Sequence, residues 1–317
     1  MRLHDAIEVY LSFKNALGMR MESESKVLRS FCRTMGDGEI ADVKSDAVLA
    51  FIAGTGAVTH TWKQKASVLR SFYRYAVGRG FTAEAPLPTV IPQFPPTRTP
   101  YIYSTDELKR LLTATRILDT RWFPLRALGF RTLLLLLYGT GLRISEALSL
   151  TLDDVDLVNA VITVRDTKFF KTRLVPTGPK LTALLSSYVQ RRCQKIPMPA
   201  GRGSAFLAIT RSGTCTSAGV AEALFGRVRN EAGLRREGDA KKGQPRLHDL
   251  RHTMVQHHLL AWYRSGSDVQ RLLPQLATYL GHVDISSTQH YLTMTPELLQ
   301  EANQRFERYA QPEHDHA

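Results

Sequence analysis

Six prolines fall in the stretch PLPTVIPQFPPTRTP, residues 86–100. Proline has no backbone N–H, and its ring clashes with the carbonyl four residues earlier, so no helix can run through this stretch. An extended linker is expected instead. It divides the chain into a smaller domain over residues 1–88, a linker over 89–100 and a larger domain over 101–317. At 317 residues with 43% apolar content, there is enough material for two cores. No run approaches 18 consecutive apolar residues, and MRLHDAIEVY places acids where a leader would be basic and apolar. Cys32, Cys193 and Cys215 are far apart and form no CxxC pair. Free thiols and a cytoplasmic setting are expected, with no membrane association.

Upstream of the prolines, apolar residues recur at helical spacing. Leu3, Ile7, Tyr10 and Leu11 predict a first helix, and Val27, Phe31 and Met35 predict the inner face of a second over about 23–35. Ser45 is expected to N-cap a third over 46–53. The fourth, about 59–77, puts Trp62, Ala66, Leu69, Tyr73 and Ala76 on one face and Lys63, Arg70 and Arg74 on another, with no acid in the segment. Such cations suit DNA phosphates, which attract them regardless of base sequence, or they form an ordinary solvated face. The net charge of +13 and a pI near 9.8 favour an anionic partner. Nucleic acid fits better than lipid, because no polybasic block adjoins an aromatic amphipathic helix.

Downstream, Ser104-Thr105-Asp106-Glu107 predicts a capping box that opens a helix toward Leu112. The apolar run 133–137 predicts a buried helix ending at Gly139-Thr140-Gly141, with a short helix from about Arg143. Residues 161–164 and 173–175 read as strands around a hairpin tip at 168–171. Helices are expected over 181–194, 218–231, 248–263, 269–280 and 296–309. The fold class is therefore mainly α with a small β-hairpin or sheet.

Three clusters could carry chemistry. Gly139-Thr140-Gly141-Leu142-Arg143-Ile144-Ser145-Glu146 delivers an arginine to a helix start, where phosphate oxygens are favoured, with Glu146 able to orient it. In His248-Asp249-Leu250-Arg251 the i, i+3 spacing puts His248 and Arg251 on one helical face. Leu280-Gly281-His282 precedes Tyr291 by nine residues, counted from the histidine. His248, His252, His257 and His258 could suggest a metal, but there is no HExxH, no paired carboxylate and no cysteine at ligand spacing. His252, His257 and His258 read as packed or helix-surface residues.

GTGLRxSE, a hairpin lysine, HxxRH, LGH and a tyrosine nine residues on, in that order, resemble the tyrosine recombinase, or integrase, family. The resemblance covers about 104–300, and the four helices upstream are more loosely similar to the family's core-binding domain. It implies a two-domain, C-shaped clamp on DNA, with an α-helical core-binding domain and a mixed α/β catalytic domain. Arg143, Arg251, His248 and His282 match the catalytic positions, Tyr291 the nucleophile and Glu146 a supporting acid. Counting back from Arg173-Leu174-Val175-Pro176, the hairpin lysine matches Lys168. Phe169 and Phe170 replace the family's glycine turn, so Lys171 stays open as the functional lysine.

The resemblance implies site-specific recombination of double-stranded DNA through a 3′-phosphotyrosine, in integration, transposition or dimer resolution. It implies no metal, ATP or other cofactor, and tetramers in the synapse, of this chain or with a related recombinase. The helix over 296–309 is a plausible docking element. A type IB topoisomerase-like or telomere-resolving enzyme shares the nucleophile chemistry. A non-cutting DNA-binding accessory protein has no need of the full residue set.

Overall fold

The computed structural model describes residues 1–19, 21–56, 58–94, 98–123, 125–165, 172–195, 203–235, 243–282, 286–293 and 296–310. The chain divides into two compact units, one over Met1–Thr97 and one built on Arg98–Thr167 and Thr172–Ala317.

The first unit holds α1 (Leu3–Ala16), α2 (Glu22–Met35), α3 (Ser45–Ala53) and α4 (His60–Gly78). Leu3, Ile7, Tyr10 and Leu11 are buried on α1, as their spacing requires. On α2 the buried residues are Leu28 and Phe31, while Val27 and Met35 pack half-buried at the edge. Ser45 does not cap α3: it is the first helical residue, and Lys44 takes the N-cap position without a side-chain bond. All five predicted apolar residues of α4 are buried, joined by Val68 and Phe72. Past α4, Phe81, Leu87 and Phe94 pack against the same core, with Phe94 edge-on to Trp62 at 5.5 Å.

The second unit begins with α5 (Thr105–Ala114), whose Ser104–Glu107 capping box forms in full. Next come α6 (Arg126–Thr140) and the short α7 (Ile144–Ser149). α6 is apolar around most of its circumference because it is a central helix, packed against α8 (Pro179–Lys195) and α10 (Asp249–Arg264). α9 (Ala218–Glu231) covers α5, and α11 (Val269–Leu280), α12 (Ser286–Gln289) and α13 (Pro296–Ala310) close the described chain. A single-turn 3-10 segment, His290–Thr293, joins α12 to α13.

A small antiparallel sheet has the order β1 (Val155–Asp156), β2 (Val161–Val164), β3 (Arg173–Pro176). Its register pairs Val164 with Arg173 and Val161 with Pro176. Ile162, Val164 and Val175 enter the core, whereas Leu174 faces solvent, the two-residue alternation of a half-buried sheet. Among the described residues, no helix is long and apolar enough to cross a membrane.

Candidate active site

Two glycines shape the floor of the site. Gly141 ends α6 at φ +63°, and a Cβ there would lie 2.8 Å from Leu280 Cδ2 and 2.9 Å from Met254 Cε. Gly281 ends α11 at φ +68°, and its Cβ would meet the Arg173 guanidinium at 2.8 Å. A left-handed backbone and this crowding together select glycine at both points.

The two turns aim helix C-termini at Arg251. Its guanidinium donates to the carbonyl of Gly141, to that of Leu280 at 2.9 Å and to His282 Nε2 at 2.8 Å. Helix C-termini present unpaired carbonyls with partial negative charge, so they can hold a cation that is only 2% exposed. Burial first, and Arg143 next, lower its pKa to about 10, which leaves it charged at neutral pH.

Glu146 organises the neighbouring cations. Arg143 donates its backbone N–H to one carboxylate oxygen at 2.9 Å and a guanidinium N–H to the other at 2.8 Å. Arg173, from β3, adds a two-pronged pairing at 3.0 and 2.7 Å. Burial alone would raise the Glu146 pKa, but the bonds from Arg173 and Arg143 outweigh it and bring it to about 2. Arg143 also reaches the Gly281 carbonyl at 3.4 Å and remains partly open to solvent.

His282 receives the Arg251 bond at Nε2, while its Nδ1 lies 2.6 Å from Thr288 Oγ1. Because Arg251 can only donate, Nε2 is the accepting nitrogen and Nδ1 carries the proton toward Thr288. Burial, then Arg251 and Arg143, holds its pKa near 4 and keeps the ring neutral. Tyr291 lies in the 3-10 turn rather than on a long helix and is 4% exposed. Its ring stacks on His282 at 6.3 Å, and its carbonyl is pinned by Gln256 Nε2 at 2.6 Å. Burial raises the hydroxyl pKa, against the pull of Arg251 and Arg143.

His248 and Arg251 are on one helix but differ in setting: His248 stands exposed at the N-cap of α10, whereas Arg251 points into the protein. Partial desolvation, then Arg251 and Arg246, lowers the His248 pKa, so the ring is a free base at neutral pH. Lys168 and Lys171 lie outside the described residues. In the first unit, Lys63, Arg70 and Arg74 are exposed on α4, with Lys63 Nζ 5.9 Å from the Phe94 ring centre.

Four residues of this cluster are ones that sequence reasoning did not assign. Arg173 stands in the stretch used only to register the hairpin, and its arginine type was the available signal. His252 meets both His248 and Tyr291. Thr288 and Gln256 carried no signal that spacing could reveal. His257 bonds the Tyr138 hydroxyl at 3.0 Å and His258 the Met254 carbonyl at 3.0 Å, both packing roles. Among the described residues, no three of His, Cys, Asp or Glu group as metal ligands would.

The family model described as the phage integrase family matches residues 103–297. The chain belongs to the phage integrase family. Within it, the chain is 34% identical over 306 residues to a Sinorhizobium fredii protein named as an integrase/recombinase, y4rB, across 96% of each chain. It is 29% identical over 289 residues to the tyrosine recombinase XerC of Oceanobacillus iheyensis, covering 88% of this chain and 86% of that one. Among solved structures, the Tn1549 transposon integrase in complex with transposon right end DNA superposes with a TM-score of 0.70. The match covers 98% of this chain and 100% of that chain at 18% identity, a likeness of fold. The lambda integrase tetramer bound to a Holliday junction gives 0.65 at 18% identity, over 92% of this chain and 77% of that one. The expected fold, helical with a small sheet, is that of this integrase family.

Proposed function

We propose that this integrase is a site-specific recombinase that cuts and rejoins double-stranded DNA through a covalent link to Tyr291. The Tyr291 hydroxyl attacks the scissile phosphorus, the bond to the 5′ oxygen breaks, and a 3′-phosphotyrosine and a free 5′-hydroxyl result. The phosphodiester energy is kept in the new bond, so a second 5′-hydroxyl reverses the step on another strand without ATP. Phosphoryl transfer depends mainly on positioning and charge stabilisation, which Arg143, Arg251 and His282 supply here without a metal. His282 Nε2 is engaged by Arg251 in the free protein, so the incoming phosphate competes for that guanidinium. A tyrosine with a pKa of about 10 needs help to lose its proton, and in this reading His248 is the general base. Lys168, on the hairpin, protonates the leaving 5′ oxygen.

The observation that supports this reading most strongly is the meeting of Arg251, His282 and Tyr291 at one point. A buried guanidinium contacts the imidazole at 2.8 Å, and that imidazole stacks on the tyrosine ring at 6.3 Å. A buried, low-dielectric setting strengthens the action of such a charge on a phosphate in the transition state. The exposed cations of α4 bind the duplex backbone, and the assembly on DNA is a tetramer, working in the cytoplasm.

The test uses a duplex selected from a random-sequence pool by binding to the full-length protein, then nicked at successive positions to trap the adduct. Tyr291→Phe is expected to bind it with unchanged affinity and to form no covalent adduct. Adduct formation by that variant overturns the assignment.

A further inference from the structure

His252 follows Arg251 and lies one turn beyond His248 on α10. Its ring meets His248 edge to face at 4.9 Å and Tyr291 at 5.3 Å, so it bridges the exposed histidine and the buried tyrosine. Its Nδ1 is buried and has no hydrogen-bond partner among the described residues. A packed histidine ordinarily bonds its buried nitrogens, because an orphaned one gives up its water without gaining a partner. A purely structural role leaves that cost unexplained.

The surroundings keep the ring uncharged. Burial is the largest influence, followed by His248, with Arg246 and Arg251 acting the same way and Asp249 opposing; together they bring the pKa to about 4. A neutral imidazole has one accepting nitrogen. In the free protein the Arg251 charge acts on the Tyr291 hydroxyl and favours its ionised form, against burial. The hydroxyl has a hydrogen of its own to donate, and the adjoining imidazole has an unused nitrogen.

We propose that His252 is a positioning residue for the nucleophile: its ring fixes the ring of Tyr291, and Nδ1 accepts the Tyr291 hydroxyl once DNA occupies the site. The bond orients the hydroxyl as DNA docks; in the attack itself the proton passes to His248, and none is transferred to His252. The inference rests on Tyr291 being the nucleophile.

Two variants of the full-length protein test it on the nicked, pool-selected duplex. His252→Phe keeps a ring but has no acceptor, and His252→Asn restores a polar atom near the place of Nδ1. The phenylalanine variant is expected to bind DNA within twofold of the parent and to form adduct at least tenfold more slowly. The asparagine variant is expected to recover at least threefold over it. Adduct formation by His252→Phe at the parent rate, or a loss that follows weakened DNA binding, overturns the proposal. Tyr291→Phe, assayed alongside, separates the two readings. Adduct from it removes the nucleophile assignment, whereas its inactivity beside a fully active His252→Phe removes only the role of His252.

Discussion

Arg251 on α10 and Arg70 on α4 are the same residue type on helices of the same protein, yet Arg251 is 2% exposed and Arg70 stands in solvent. Around Arg251 every contact is fixed: two helix-terminal carbonyls and an imidazole. Nearby, Glu146 binds Arg143 and Arg173 at once. Lys63, Arg70 and Arg74 instead form a solvent-screened row. A buried, preorganised cation acts strongly on a charge at one position, while an exposed one attracts any phosphate within about a Debye length of 10 Å. The first arrangement suits chemistry and the second suits holding a backbone.

That contrast makes unequal demands on single substitutions. Glu146→Gln removes the only carboxylate paired with Arg173 among the described residues and is expected to destabilise the fold by about 3 kcal/mol, as for a broken buried pair. Urea unfolding checks this, and a fall in stability below about 1 kcal/mol, the ordinary worth of a surface pair, would mean the cluster behaves as a solvated one.

A pH titration probes the same burial. His252 and His282 have pKa values near 4 in the fold, against about 6.5 in an unfolded chain. Between these values the unfolded chain binds protons that the folded one refuses, so stability is full above pH about 6.5 and falls toward pH 4. Glu146 extends the fall below that, from about 4.5 to about 2, because its carboxylate is favoured in the fold. Tm measured from pH 7 to 4 should fall, and His282→Asn should flatten the slope. An unchanged slope would show that His282 titrates normally.

The smallest effect is expected in the first unit. Replacing Lys63, Arg70 and Arg74 together by Ala should leave Tm within a few degrees. It should weaken DNA binding roughly uniformly across sequences and reduce the salt slope of log Kd by roughly 1 for each phosphate left without its cation. An unaltered slope would identify the row as a solvated face.

Much of the helical fold was legible in the chain. Amphipathic spacing located α1 and α4, while α9 and α11 fall on the expected ranges, and the Ser104–Glu107 box is a local device that spacing alone reveals. The Ser45 cap was misplaced because a serine next to a helix start can serve equally as its first residue. Within the site, Arg143, Glu146, Arg251, His282 and Tyr291 were legible from their order and offsets, and the structure groups them. Arg173 and His252 were not, since their contacts with Glu146 and Tyr291 span 27 and 39 residues of sequence.

The prolines of 86–100, the glycines at 141 and 281 and the helical periodicities act through the backbone within a few residues. The sequence by itself therefore determined where the elements start and stop, and which side chains are available for chemistry. Only tertiary packing decided that Arg251 is held by the ends of α6 and α11, that Glu146 serves two arginines and that Tyr291 rests against two neutral imidazoles. Those relations cross from helix to helix, and no local rule of spacing specifies which helix ends meet.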